Sequence, residues 1–217
     1  MNLYLFDVDN TMLDVDHLHR QAYEEMYEKV YNVKHSLSLP KGEERTTHNI
    51  IRCALTNNVP GKKIEEQMEE AVESMARLYM SRVNPLFVHT NVPHILGKLN
   101  ERGMVGVFTG GARHITNVIL KKTNLHERFH HVSTCDDAPT RKEIVKHAIE
   151  NASLGRKFDK VFVIGDSPED IEAAKSNNAV AVGVAMGYHD EETLRKSGAD
   201  IVIKDWEDTE EVLEKLK

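Results

Sequence analysis

Cysteine is scarce in this 217-residue chain: Cys53 and Cys135 are the only two. They stand far apart, so neither a disulfide framework nor a Cys-x-x-Cys metal or redox motif can be built from them. A reducing cytoplasm is the expected compartment. Long apolar runs are missing as well. A membrane-spanning helix needs ~20 consecutive apolar residues, so no membrane partner is expected. No basic run precedes Leu3-Tyr4-Leu5-Phe6, and no secretory leader is expected. Positive charge is in deficit, with 28 Lys and Arg against 35 Asp and Glu and a formal charge of -7. That balance argues against nucleic acid or an anionic membrane as the main partner. An anionic substrate would have to be recruited by local groups. Histidine is plentiful, at 12 residues, but none stands in a zinc-type pair on an expected helix.

The residues that are present describe an ordinary globular protein, 40% hydrophobic and 29% charged. The length allows one large domain, or one domain with an insert. Short β-branched runs recur at Leu3–Val8, Met104–Thr109, His131–Thr134, Val161–Gly165, Val180–Val184 and Ile201–Ile203. The central runs are apolar without alternation, as strands covered on both faces must be. Helical stretches separate them at Val92–Arg102, Ala112–Thr123, Arg141–Asn151, Pro168–Asn177 and Glu191–Ser197. This rhythm predicts an α/β fold with a doubly wound parallel sheet. One interval breaks it. Leu18, Ala22, Met26 and Val30 form one helical stripe, and Ile50, Ile51, Ala54 and Leu55 a second. A third begins at Pro60-Gly61, with Ile64, Met68, Val72, Met75 and Leu78 on one face. Residues 15–83 are therefore expected to form a helical insert, and residues 1–14 with 84–217 the core. Met68, Met75, Tyr79 and Met80 are expected to belong to the insert's own core.

Four candidate sites follow strands. Asp7-Val8-Asp9-Asn10-Thr11 puts two carboxylates at the carboxyl edge of a parallel strand, where such sheets bind ligands. Two ionised carboxylates so close need a cation, or one must hold a proton. Either outcome serves chemistry, as a positioned nucleophile or as a general acid and base. The plain alternative is a pair of helix-capping aspartates. Gly165-Asp166-Ser167-Pro168-Glu169-Asp170 sets Asp166 at a strand edge and Asp170 one helical turn later. Carboxylates without Cys or His suit a hard cation, by default Mg²⁺, although Ser167 could simply cap the helix. Phe108-Thr109-Gly110-Gly111 offers a hydroxyl and bare N–H groups at a helix start, an anion cradle or an ordinary turn. Thr140-Arg141-Lys142-Glu143 fits a capping box and places two cations in a first helical turn, which the helix dipole disfavours. They call for an anion or a carboxylate partner, unless both are solvated. The joint placement of the four is a phosphoryl-transfer set.

In these motifs the chain resembles the haloacid dehalogenase-like superfamily. Asp-x-Asp-x-Thr at 7–11, Thr109, the basic residue at 141 or 142 and Gly-Asp-x-x-x-Asp at 165–170 match its four motifs in order. The resemblance implies a Rossmann-like core with an inserted α-helical C1-type cap, and a Mg²⁺-dependent phosphatase of the phosphoglycolate phosphatase type. Asp7 would be the nucleophile that forms a phosphoaspartate, and Asp9 the acid and base. Mg²⁺ would be held by Asp7, the Asp9 carbonyl and Asp166, with Asp170 close by. Thr109, Gly110 and either Arg141 or Lys142 would bind phosphoryl oxygens. The dehalogenase branch lacks Asp9, because a halide needs no proton to leave, so Asp9 favours phosphate esters. Two departures stand out. Asn10 replaces a frequent Gly, although Asn tolerates left-handed angles. The usual Lys-Pro-x-Pro of the third motif is missing.

The expected substrate is a small phosphorylated metabolite such as phosphoglycolate, a sugar phosphate or a nucleotide, and the chain a monomer or homodimer. A phosphomutase of the β-phosphoglucomutase type would use the same aspartates. A receiver-like phosphoacceptor module, the non-enzymatic alternative, would be shorter and would not need Asp9. Cap candidates for substrate contact are His17, Arg20, Arg45, Thr46 and Thr47, with His48 in the same polar cluster at a helix start.

Overall fold

A computed structural model describes residues 1–37 and 44–217. At its centre lies an all-parallel sheet in the order β3-β2-β1-β4-β5-β6. The strands are β1 (Asn2–Phe6), β2 (Gly103–Phe108), β3 (His131–Ser133), β4 (Val161–Gly165), β5 (Val180–Val184) and β6 (Ile201–Ile203). Each falls on one of the β-branched runs. Leu3, Tyr4, Leu5 and Phe6 are all buried, as expected of a central strand covered on both sides. Helices α5 (Val92–Asn100), α6 (Arg113–Lys122), α7 (Arg141–Ser153), α8 (Pro168–Ser176), α9 (Glu191–Lys196) and α10 (Thr209–Lys215) alternate with the strands. Helix α10 lies beyond the last element expected from the sequence. Asp208 caps it by accepting from Glu211 N, and the Tyr4 hydroxyl ties it down through Leu216 O at 3.1 Å.

The order of strands reverses direction between β1 and β4, and such a switch point opens a crevice at the carboxyl ends. Phe6 pairs with Ile164, and Asp7 N continues the ladder by donating to Ile164 O at 2.9 Å. Asp7 and Asp166 are thereby brought side by side across the crevice.

Between β1 and β2 run α1 (Asp16–Tyr31), α2 (Thr47–Leu55), α3 (Gly61–Glu66) and α4 (Met68–Arg82). The first stripe buries Leu18, Ala22 and Met26, while Val30 is only partly covered. Ile50, Ile51, Ala54 and Leu55 of α2 are all buried. The third expected helix is two: Gln67, at φ -105° and ψ 6°, interrupts it. The break is a kink rather than a loop, because Gln67 N still reaches Lys63 O and Ala71 N reaches Gln67 O. Met68, Met75 and Tyr79 belong to the core as expected; Met80 does not, and is 51% exposed. The chain leaves and re-enters the sheet along adjacent paths. Asp14 N donates to Phe87 O at 2.9 Å and His89 N to Met12 O at 3.1 Å, pairing the two connections antiparallel. No helix among the described residues is long and apolar enough to cross a membrane.

At the β3 edge, His131 pairs with Gly106. A Cβ at Gly106 would fall 2.2 Å from the His131 ring, so this glycine makes room for the imidazole. Burial, with help from His130 and His147, pushes the His131 pKa down to about 4. The native state therefore holds a neutral ring where the unfolded chain binds a proton below about pH 6.5. The stabilisation is complete above that value and is lost as pH falls towards 4, by up to about 3 kcal/mol. His131→Phe is expected to flatten the acid limb of stability in urea melts between pH 6.5 and 4. An unchanged slope would mean that the ring titrates normally.

Candidate active site

Asp7 directly follows β1 and is 4% exposed. The turn that follows is held by Met12 N on Val8 O and Asn10 N on Leu13 O. Asn10 sits at φ 57°, the left-handed angle that its short amide tolerates. Trp206, buried beneath the turn, donates Nε1–H to Thr11 O at 2.8 Å. After β4, Ser167 and Asp170 form a reciprocal capping box at the start of α8. Gly165 allows it, because a Cβ there would lie 2.4 Å from the Asp170 carboxyl. The capping role foreseen for Ser167 is thus real, and it aims one Asp170 oxygen into the crevice.

Carboxylate oxygens of Asp7, Asp166 and Asp170 lie within 4.8 Å of one another, and all three residues are buried. Arg141 is set among them, with Nη1 2.9 Å from Asp7 Oδ1 and 3.3 Å from Asp170 Oδ1. Lys142 points away and pairs with Glu172 at the surface, at 3.5 Å. Of the two basic candidates, only Arg141 enters the crevice. Thr140 caps α7 and meets Glu143 at 2.7 Å, and Glu44 accepts from Arg141 N at 3.0 Å. Each cation of this turn has thus found carboxylate company.

One guanidinium does not neutralise three carboxylates. Burial pushes Asp7 well above the usual carboxylate range, with Asp170, Asp166 and Asp9 adding to the rise and Arg141 opposing it. Burial also carries Asp166 up to about 7, again with Asp170 adding and Arg141 opposing. The cluster is short of positive charge. All-oxygen donors without sulfur or imidazole fit Mg²⁺.

Asp9 stands apart from the three and meets a partner from the insert: His19 Nε2 on α1 lies 3.0 Å from Asp9 Oδ1. Burial alone would lower the imidazole, but Asp9 and Asp16 outweigh it and hold its pKa above the ordinary range. The other ring nitrogen touches the Tyr79 hydroxyl on α4. His17, two residues earlier, instead stacks on Phe87 at 5.7 Å and does not line the site. The signal for His19 is its place on the buried face, at three, four and seven residues from Ala22, Tyr23 and Met26.

Thr109 is 2% exposed and accepts from Gly111 N at 3.1 Å. Thr47, from the insert, donates its N–H to Gly110 O at 2.8 Å and accepts from Ala112 N at 3.0 Å. The Gly111 N–H of the expected anion cradle is therefore already paired, as is the Ala112 N–H that follows it, so the hydroxyl and Gly110 are what that loop offers a ligand. Thr46 caps α2 through Asn49 N. Arg45 pairs with Glu169 at 3.3 Å.

These groups surround a cavity of about 360 Å³, lined by Asp7, Asp9, Thr109, Gly110, Arg141 and Asp166 from the sheet side and by His19, Arg20, Tyr23, Arg45 and Thr47 from the insert. A wider groove of about 910 Å³ adjoins it, sharing only Arg141 and none of the aspartates of the crevice.

The model of the haloacid dehalogenase-like hydrolase family matches residues 4–184. The chain belongs to that family. It is 28% identical over 211 residues to the pyrophosphatase PpaX of Oceanobacillus iheyensis, covering 94% of this chain and 92% of the relative. It is 27% identical to a phosphoglycolate phosphatase of Nitrosococcus oceani, over 93% and 91% of the two chains. The fold is that of a protein from Clostridium acetobutylicum described as a predicted phosphatase, with a TM-score of 0.72, 22% identity and 98% of each chain covered. The family member described here is an enzyme, and by its relatives a phosphatase.

Proposed function

We propose that this phosphatase hydrolyses a small phosphorylated metabolite (phosphoglycolate, a sugar phosphate or a nucleotide) in the cytoplasm, with Mg²⁺, through a phosphoaspartate on Asp7. The clustering of the Asp7, Asp166 and Asp170 carboxylates, with Arg141 paired to Asp7 and Asp170, beside a 360 Å³ cavity that Asp7, Asp166 and Arg141 line carries this reading. That volume is at the small end for ligand sites.

In this reading Asp7 attacks phosphorus in line with the ester bond. The departing oxygen takes its proton from Asp9. The same carboxylate then accepts a proton from the water that cleaves the phosphoaspartate. Arg141, Thr109 and Gly110 hold the non-bridging oxygens. His19 is a positioning residue that fixes the Asp9 carboxylate, with Tyr79 behind it. Asp7, Asp166 and Asp170 with the Asp9 carbonyl would hold Mg²⁺, which would supply the charge that the buried carboxylates lack. Residues 1–14 and 84–217 form the catalytic core, and 15–83 the cap that shuts out water; residues 38–43 of that cap lie outside the described residues. The paired connections at Met12–Asp14 and Phe87–His89 support this division.

The purified chain, assayed against a phosphometabolite panel and p-nitrophenyl phosphate, is expected to turn over with Mg²⁺, stop with EDTA and recover when Mg²⁺ is restored. Turnover indifferent to EDTA would remove the metal from the reading. A phosphoenzyme that persists for hours would favour a receiver-like role, and transfer to a second sugar hydroxyl a mutase.

A further inference from the structure

Thr47, the first residue of α2, is buried and reaches from the insert to the loop that joins β2 to α6. It bonds that loop twice. Thr47 N donates to Gly110 O at 2.8 Å, and Thr47 Oγ1 accepts from Ala112 N at 3.0 Å. The two bonds bracket Gly110-Gly111, and consecutive glycines have more backbone freedom to lose than any other pair. The insert's backbone closes the contact. A Cβ on Gly110 would lie 2.4 Å from Arg45 O and 3.5 Å from Arg141 Nη2, so Gly110 packs against the insert with the guanidinium of the crevice close by. Within the loop, Thr109 Oγ1 accepts from Gly111 N at 3.1 Å. That bond orients the hydroxyl and leaves its proton available to an oxygen in the cavity that Thr109 lines.

We infer that Thr47 is a positioning residue: through it the insert fixes the Thr109–Gly110 loop in the shape that receives the phosphoryl group. The inference rests on the phosphatase reading above and adds to phosphoryl recognition a residue that acts through the loop. Ala112 is 1% exposed, so without Thr47 Oγ1 its N–H is a buried donor lacking an acceptor, and the loop must shift to satisfy it. Such a shift carries Gly110 and the Thr109 hydroxyl with it, and donors aimed at a substrate are worth most when fixed beforehand. The phosphoryl group is common to every substrate. The effect is therefore the same for all leaving groups and is present for inorganic phosphate alone.

The test measures the dissociation constant of inorganic phosphate by calorimetry, and kcat/KM for p-nitrophenyl phosphate and 2-phosphoglycolate, all with Mg²⁺. Thr47→Val keeps nearly the same shape and removes the acceptor. It is expected to weaken phosphate binding about five- to tenfold and to lower kcat/KM for both esters by a similar factor. Thr47→Ser, which keeps the oxygen, is expected to restore most of the loss. If Thr47→Val does not fold, Thr47→Ala removes the same oxygen without added bulk and reads the same constant. Thr47 itself lines the cavity. If it touched the leaving group instead, the two esters would respond differently and phosphate binding would not move, and that result would overturn the inference. So would unchanged phosphate binding with only a lower melting temperature, the mark of a purely structural contact, or a Thr47→Ser variant as impaired as Thr47→Val. A wild-type chain that binds phosphate but hydrolyses neither ester would instead count against the phosphatase reading itself, and one that binds no phosphate would end both.

Discussion

Asp7→Asn is expected to abolish turnover, with kcat falling at least about a thousandfold, the scale on which removal of a nucleophile is felt. The same substitution is expected to raise the melting temperature in EDTA at pH 7. The two effects share one cause. Burial and the neighbouring aspartates hold the Asp7 pKa above its unfolded value even with Arg141 at 2.9 Å. A carboxyl raised in this way binds its proton more tightly when folded, so stability falls as pH rises from the unfolded value through the folded one. At neutral pH without a cation, the charged form is a burden that an amide does not carry. The pair of measurements is an activity assay and a thermal melt. Full activity in the variant would refute a nucleophilic Asp7. A lower melting temperature in EDTA would show that the Arg141 contact outweighs the burial.

Asp9→Asn is expected to separate two halves of the reaction. An amide can neither protonate a departing alkoxide nor activate water, and positioned acid–base catalysis contributes about a hundredfold to ten-thousandfold. With p-nitrophenyl phosphate, whose phenolate leaves without much help, the first half proceeds and the second stalls. Rapid quench with labelled substrate is expected to trap a phosphoenzyme in Asp9→Asn that the wild-type chain does not accumulate. Equal, low label in both proteins, with turnover intact, would take Asp9 out of the proton path. Asp9 lies outside the tight cluster of the other three carboxylates and is paired with His19, which agrees with a group that handles protons.

Much of this was legible in the residues because the sheet writes its own signature. Strands covered on both faces must be apolar throughout, so the central ones stand out in the sequence, and strand-end carboxylates have no packing reason to sit in a crevice. Other parts needed the chain folded. The sequence leaves the choice between Arg141 and Lys142 open, although helical geometry bears on it: Arg141 stands three, four and seven residues before buried Ile144, Val145 and Ala148, whereas Lys142 has such a spacing only to Val145. The sequence favours His17 and Arg20 over His19, since a polar residue inside an apolar stripe reads as packing until its partner is known. Its partner, Asp9, is supplied by the turn after β1. Gly187 has no local pattern at all; what matters about it is its closeness to Asp166, a long-range fact. The kink at Gln67 also escapes a periodicity argument, because the apolar stripe continues across it.

The antiparallel contact of Leu13 with Val88 has an evolutionary side. An insertion whose ends touch is, to the rest of the molecule, only a long excursion at one point on the rim. It can be lengthened, exchanged or rebuilt without moving a single rung between β1 and β2. On the proposed reading, the carboxylates at the strand ends could then stay fixed while the helices above them are remodelled.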